Sequence, residues 1–314
     1  MKLQTQVPIL KVKNQINYDS KLVLLGSCFV ENIGKKLNYF KFETFQNPFG
    51  ILFHPNAIET LVAYAVQNKV FTEADVFFNN ERWHCFDAHS DLSDVSKEAV
   101  IEKLNNAVKN TLKQITEATH IIVTLGTAWA YRSKNNNSLV ANCHKVSQKE
   151  FKKELGTVSE IQENIKNIAT LIASINTKVQ FVFTVSPVRH LKDGFVENQR
   201  SKAHLITAIH EMIKEQSSVY FPSYEIMMDE LRDYRFYNRD MVHPNEVAID
   251  YIWERFQRVW ISEGSYETMK QVELIQKGME HRPFNEDSGQ HQKFVKSLES
   301  KMDTLQKEYP SFKF

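Results

Sequence analysis

The chain is short of cysteine: Cys28, Cys85 and Cys143 are the only three in 314 residues. They are odd in number and far apart, so no disulfide framework follows, and free thiols fit a reducing, cytoplasmic setting. Charge of one sign is lacking too. The 39 Lys and Arg nearly cancel the 38 Asp and Glu, so no global basic field points to nucleic acid. No apolar run approaches the roughly 20 residues of a bilayer-spanning helix. The opening stretch Met1-Lys-Leu-Gln-Thr-Gln-Val-Pro8 has no apolar core of the signal-peptide kind. A membrane is therefore not an expected partner.

Several motifs are missing as well. From Gly26 to Gly34-Lys35, seven residues intervene where a phosphate-binding P-loop needs four. His84, Cys85, His89, Cys143 and His144 are metal-ligand types, yet no Cys-x-x-Cys or His-Glu-x-x-His pair occurs. A hairpin around Asn79-Asn80 would send His84 and Cys85 to opposite faces. The Gly-x-Ser-x-Gly elbow is absent, as is any internal repeat. Neither a metal nor an organic cofactor is expected.

What the chain does have is 42% hydrophobic residues, enough for a sizeable core. Leu22–Leu25 reads as a buried strand that stops at Gly26. Phe29, Val30, Ile33 and Leu37 then start a helical period. Similar strand runs recur at 121–125, 179–185 and 219–221, with amphipathic helices between them at 97–115, 159–175 and 201–214. Asn56 and Ser159 are the expected N-caps of the helices they precede, and a further helix from Pro244 to about Trp260 has Pro244 just inside it. Strands alternating with helices predict parallel βαβ units in an α/β fold, a three-layer α/β/α sandwich with a mainly parallel sheet. Residues 76–90 and 129–142 read as hairpin insertions near the C-terminal edge of that sheet. Residues 1–20 read as an arm lying on the domain. The composition turns charged and helical beyond residue 262, which divides the chain into an α/β domain, 1–261, and a C-terminal helical extension, 262–314.

Ser27 and Cys28 thus stand where a strand ends and a helix begins, the edge at which open α/β sheets bind ligands and where helix N-termini favour negative charge. Both are candidate nucleophiles. Acyl transfer also needs a base and an acid that orients it. Asp240 and His243, in Asp240-Met-Val-His-Pro244, have a spacing that lets both side chains point from one loop turn into the same space. The plain alternative is that Asp240 closes a turn and His243 caps the helix at Pro244. A thiol beside an imidazole and a helix N-terminus is expected to have a lowered pKa. Against that, a free cysteine is usually a small buried hydrophobe, which would leave Ser27 to attack.

Gly26-Ser-Cys-Phe-Val30 resembles the Gly-Ser-Cys-Phe-Ala signature of the GSCFA family. Further matches are Thr44-Phe-Gln-Asn-Pro-Phe-Gly-Ile-Leu-Phe53, Leu125-Gly-Thr-Ala-Trp129, Ser186-Pro-Val-Arg-His190 and Asp240-Met-Val-His-Pro244. That family is distantly similar to the SGNH or GDSL hydrolases. The resemblance implies an SGNH-hydrolase-like fold, with Asp240 and His243 as acid and base. Laying Gly26-Ser-Cys on Gly-Asp-Ser puts Cys28 at the nucleophile position and Ser27 in place of the aspartate. Gly50 falls in order for the glycine whose N–H serves an oxyanion. The next element should read Gly-x-Asn-Asp, but the chain has Gly126-Thr-Ala-Trp129, so the asparagine donor is missing. Asn47, Asn142 and the Cys28 N–H are the substitutes in view. His144 and Arg189 are expected at the same mouth, Arg189 with a fork suited to a carboxylate or phosphate. The implied function is an esterase, thioesterase or acyltransferase acting on a small-molecule or glycan acyl ester through a covalent acyl-enzyme. The departures from the pattern leave open a non-catalytic ligand- or partner-binding module on the same scaffold.

Overall fold

A computed structural model describes residues 4–213 and 218–314. In chain order, β1 (Lys21–Gly26) leads to α1 (Cys28–Tyr39), β2 (Glu43–Gln46) and α2 (Pro55–Val66). The first hairpin, β3 (Phe77–Asn79) and β4 (Arg82–His84), precedes α3 (Lys97–Glu117) and β5 (His120–Leu125). A second insertion holds β6 (Trp129–Ser133), β7 (Leu139–Val140) and β8 (Phe151–Leu155). Then come α4 (Val158–Ala173), β9 (Gln180–Val185), α5 (Phe195–Ile213) and β10 (Val219–Phe221). The short α6 (Ser223–Glu225) runs on as a π-turn over Ile226–Glu230. The chain closes with α7 (Glu246–Trp260), α8 (Tyr266–Glu280) and α9 (Gly289–Glu308).

Five strands form one parallel sheet in the order β10-β9-β5-β1-β2. The four apolar runs expected to be neighbours are neighbours. They are mostly apolar, Thr124, Gln180 and Thr184 excepted, because both faces are covered. Val23, Leu25, Val123 and Phe183 point to the side packed by α2, α3, α4 and α5. Leu22, Leu24, Ile122 and Val182 point to the side packed by α1 and α7. Counting only the five sheet strands, the order is 2-1-3-4-5, which reverses direction between β1 and β5. A crevice at such a switch point is where doubly wound sheets bind ligands.

The N-terminal arm lies along α7, with Val12 N and Ile16 N donating to Val259 O and Trp260 O at 3.2 and 2.7 Å. Buried Glu230 fastens it, accepting from Val7 N at 2.8 Å and from the Tyr251 hydroxyl. Met1–Leu3, and residue 214 at the expected end of α5, lie outside the described residues. At the other end of the chain, Tyr18 stacks on Phe42 at 4.5 Å and meets Tyr309 and Phe312 at 5.1 Å, anchoring the α8–α9 pair. Among the described residues no helix is long and apolar enough to cross a membrane.

Several local expectations need correction. His54, not Asn56, caps α2. Thr157, not Ser159, caps α4, in a reciprocal box with Glu160. The helix expected from residue 201 begins earlier, at Phe195. Pro244 lies outside α7, whose N-cap is Asn245. The turn of the β3–β4 hairpin falls on Asn80 and Glu81, both with positive φ. β8 is an unanticipated third strand beside β6; its sequence, Phe151-Lys-Lys-Glu-Leu155, is polar because it forms an edge.

Candidate active site

The site starts where β1 ends. Gly26 has φ +133°, and a Cβ there would stand 2.1 Å from Thr124 O. Only glycine lets β1 press this closely on β5. Ser27 N then donates to Thr124 O at 3.1 Å, while Ser27 Oγ accepts from Phe29 N at 3.3 Å. Ser27 is the N-cap of α1 and is only 2% exposed.

Cys28 follows as the first helical residue, half-buried. Burial raises its thiol pKa, and Glu31 adds to the rise. The backbone N–H groups of Cys28 and Phe29 and the Lys202 ammonium pull the other way without prevailing. The lowered pKa expected of a thiol at a helix N-terminus is therefore not the net result: desolvation outweighs the helix end here.

Asp240 and His243 form a closed unit. Asp240 Oδ1 accepts from the N–H groups of Val242 and His243 at 2.9 and 3.0 Å, and Oδ2 meets His243 Nδ1 at 2.7 Å. Those backbone bonds, with the imidazole, hold the Asp240 pKa down to about 2. The carboxylate selects the tautomer with the proton on Nδ1, which leaves Nε2 as an acceptor. Asp240 does close a turn, but His243 caps nothing, because Asn245 Oδ1 takes the α7 amide of Ala248 at 3.1 Å. Arg189 braces this loop. Its N–H donates to Val242 O at 3.1 Å and its Nη1 to Met241 O at 3.2 Å. Its guanidinium lies over the Phe195, Tyr234 and Tyr237 rings.

The residues expected to supply oxyanion donors are placed differently. Gly50 N donates to Asn47 O at 2.8 Å to close a turn, and Gly126 N donates to Phe53 O at 2.8 Å. Asn47 Oδ1 accepts from Gly26 N at 2.9 Å, so Asn47 props the end of β1. Asn142 and His144 knit the two insertions together. Asn142 Oδ1 accepts from His144 N at 2.9 Å, and His144 Nε2 meets Cys85 O at 2.7 Å with its ring 4.6 Å from His84. Burial pushes the His144 pKa down to about 4. His144, expected at one mouth with Arg189, thus sits in the packed join between the insertions, while Arg189 lies on the Asp240–His243 loop.

Two more residues stand at this edge: Lys202, which the sequence did not single out, and His190, which it offered only beside Arg189 as a residue of the mouth. Lys202, 1% exposed, donates from Nζ to Gly126 O at 2.6 Å and to Ser186 O at 2.7 Å, tying the ends of β5 and β9. Burial pulls its pKa down to about 7, and Cys28 lies close enough to act on it. Its neighbours on α5 work alike: Asn198 Oδ1 accepts from His190 N at 2.9 Å, and Ser201 Oγ accepts from Ala128 N at 2.7 Å. The signal was a two-turn extension of the Leu205–Ile209 stripe back to 202, 201 and 198. The second residue, His190, has Nε2 buried without a hydrogen-bond partner. Among the described residues no hydrogen bond joins Cys28 Sγ or Ser27 Oγ to the His243 ring.

A family model described as the GSCFA family matches residues 21–256, and one described as the C-terminal domain of GSCFA domain proteins matches 272–314. No curated protein matches the chain. Among solved structures, an acetyl xylan esterase (Est2A) from the rumen bacterium Butyrivibrio proteoclasticus is similar over 81% of this chain and 65% of that one, at 10% identity and a TM-score of 0.34.

Proposed function

The chain belongs to the GSCFA family, and we propose that it transfers or hydrolyses an acyl group through Cys28, with His243 as base and Asp240 as its orienting acid. The supporting observation is the Asp240–His243 pair at 2.7 Å, on a loop that Arg189, just past β9, holds through Val242 O and Met241 O at the C-terminal end of the sheet, the end at which Cys28 opens α1. Ser27 is occupied as a cap, which favours Cys28. In the reaction, Cys28 Sγ attacks the acyl carbonyl carbon while His243 Nε2 takes the thiol proton. The tetrahedral intermediate collapses, the bond to the leaving oxygen or sulfur breaks, and the imidazolium returns its proton to that atom. Water, or an acceptor hydroxyl, then attacks the acyl-cysteine with His243 again as base. The raised thiol pKa makes this a general-base reaction from the neutral thiol rather than one from a preformed thiolate. The missing thiol–imidazole bond is of the kind that tightens on substrate binding. No metal or organic cofactor is needed for this chemistry. A small-molecule or glycan ester in the cytoplasm is the substrate and setting we favour.

A second reading, a binding module on the same scaffold, draws on the committed N–H groups of Gly50 and Gly126. Intact-mass measurement after exposure to p-nitrophenyl acetate separates the two. The enzyme reading expects one acetyl group, mapped to Cys28, forming about 10²–10⁴ times more slowly in His243→Ala. Equal labelling of wild type and His243→Ala sinks the catalytic role of His243, and no labelling of either supports the module.

A further inference from the structure

The N–H groups of Gly50 and Gly126 are committed to backbone carbonyls, yet one side-chain donor at this edge has no partner. His190 Nε2 is buried and has no partner, a rare state for a polar atom and one that calls for an explanation. Its position is specific. A Cβ built on Gly126 would lie 3.3 Å from that nitrogen, so the ring sits directly against the end of β5. The backbone of His190 is pinned by Asn198, and its ring packs on Phe53 with centroids 5.5 Å apart. The imidazole is therefore held in place, with one nitrogen kept out of water and facing no protein acceptor.

Resting on the reading above, we propose that His190 Nε2–H is the side-chain donor that stabilises the oxyanion formed when Cys28 attacks the acyl carbonyl. Its charge environment suits the role. Burial, Lys202 and His243 together push the His190 pKa down to about 3, so the ring is neutral throughout the working range. A neutral imidazole donates a hydrogen bond to a developing negative charge without giving up its proton, leaving proton transfer to His243. Gly126, against which the ring lies, follows β5, and Gly26 and Ser27 meet Thr124 of the same strand, so the donor and the nucleophile stand at the ends of neighbouring strands. The bonds are simple: as Sγ adds to the carbonyl carbon, the C=O electron pair moves to oxygen. His190 then donates to that oxygen until it re-forms the carbonyl.

The test compares two reactions of the same thiol. Acylation by p-nitrophenyl acetate passes through an oxyanion; alkylation by iodoacetamide is a displacement that does not. His190→Phe keeps a ring in the packing and removes the donor, while His190→Gln retains an N–H. His190→Phe is expected to slow acylation of Cys28 by about 10²–10³ with little change in the ester concentration at half-maximal rate. Alkylation of Cys28 should stay near the wild-type rate, and His190→Gln should recover part of the acylation. Unchanged acylation in His190→Phe, in a protein whose Cys28→Ala variant is not acylated, overturns the role of His190 alone. A rise only in the half-maximal ester concentration also overturns it, since that marks a ground-state contact. Equal loss of acylation and alkylation overturns it as mere disturbance of the thiol. Wild-type Cys28 that alkylates but never acylates overturns the acyl-transfer reading, and the donor role with it.

Discussion

Replacing Lys202 with methionine should change stability by an amount that depends on pH, and the structure gives both sign and size. The side chain is fully enclosed, and its Nζ satisfies Gly126 O and Ser186 O. Leaving two buried carbonyls unpaired costs about 1–3 kcal/mol each. Working against this, the folded protein holds the amine at a pKa of about 7, below the ordinary 10.5. Between those values the unfolded chain binds more protons at this site than the folded one, so stability rises with pH. Below about pH 7 the lysine is charged in both states, and the full burden of burying an ammonium is present. Each unit of pH within the window is worth about 1.4 kcal/mol, so wild type should gain about 2 kcal/mol over Lys202→Met between about pH 7 and 9. Urea unfolding followed by tryptophan fluorescence, both proteins in a Cys28→Ala background so that this thiol does not titrate, measures the difference directly. A gap that stays constant across that range refutes the argument: Lys202 would then remain charged when folded.

Two further outcomes follow from the same edge. Iodoacetamide should modify Cys28 before Cys85, which is buried with its pKa pushed up to about 12, and before Cys143, raised to about 11, because the helix N–H groups and Lys202 favour only the Cys28 thiolate; peptide mapping that finds Cys143 labelled first contradicts this. Gly26→Ala should destabilise by on the order of 3 kcal/mol or more, from positive φ and a Cβ driven into Thr124 O, and a shift in urea midpoint worth under about 1 kcal/mol would show that β1 and β5 can separate.

How much of this was legible follows from what each signal depends on. The sheet was readable because strands covered on both faces are near-continuous apolar runs, as Leu22–Leu25 is throughout and Val179–Val185 is but for Gln180 and Thr184. β8 was not, because an edge strand with one face in water need not alternate cleanly. The position of Cys28 could be read from Leu25-Gly-Ser-Cys, since a strand, one glycine and a cap form a local pattern. The roles assigned to Gly50 and Gly126 could not, since whether an N–H is free depends on where Asn47 O and Phe53 O come to lie. The missed cap of α4 is a smaller case of the same kind: Thr157 and Ser159 both suit the role, and only the Thr157–Glu160 reciprocity decides.

Lys202 carries the point furthest. A lysine in a helix reads as solvent-facing, and the stripe of Leu205, Ile209 and Met212 would ordinarily be continued by apolar residues. Instead the first turns of α5 put Asn198, Ser201 and Lys202 on the buried side. Each meets a backbone group that the loops after β5 and β9 leave without a strand partner: His190 N, Ala128 N, and the Gly126 and Ser186 carbonyls. The polar stripe is thus the complement of two strand ends that stop pairing. A helix whose buried face turns polar for one or two turns, just after a core strand, is therefore a sequence mark of strand ends whose backbone groups need side-chain partners. Here it points to the ends of β5 and β9 as independently as the Gly26–Cys28 stretch points to the end of β1.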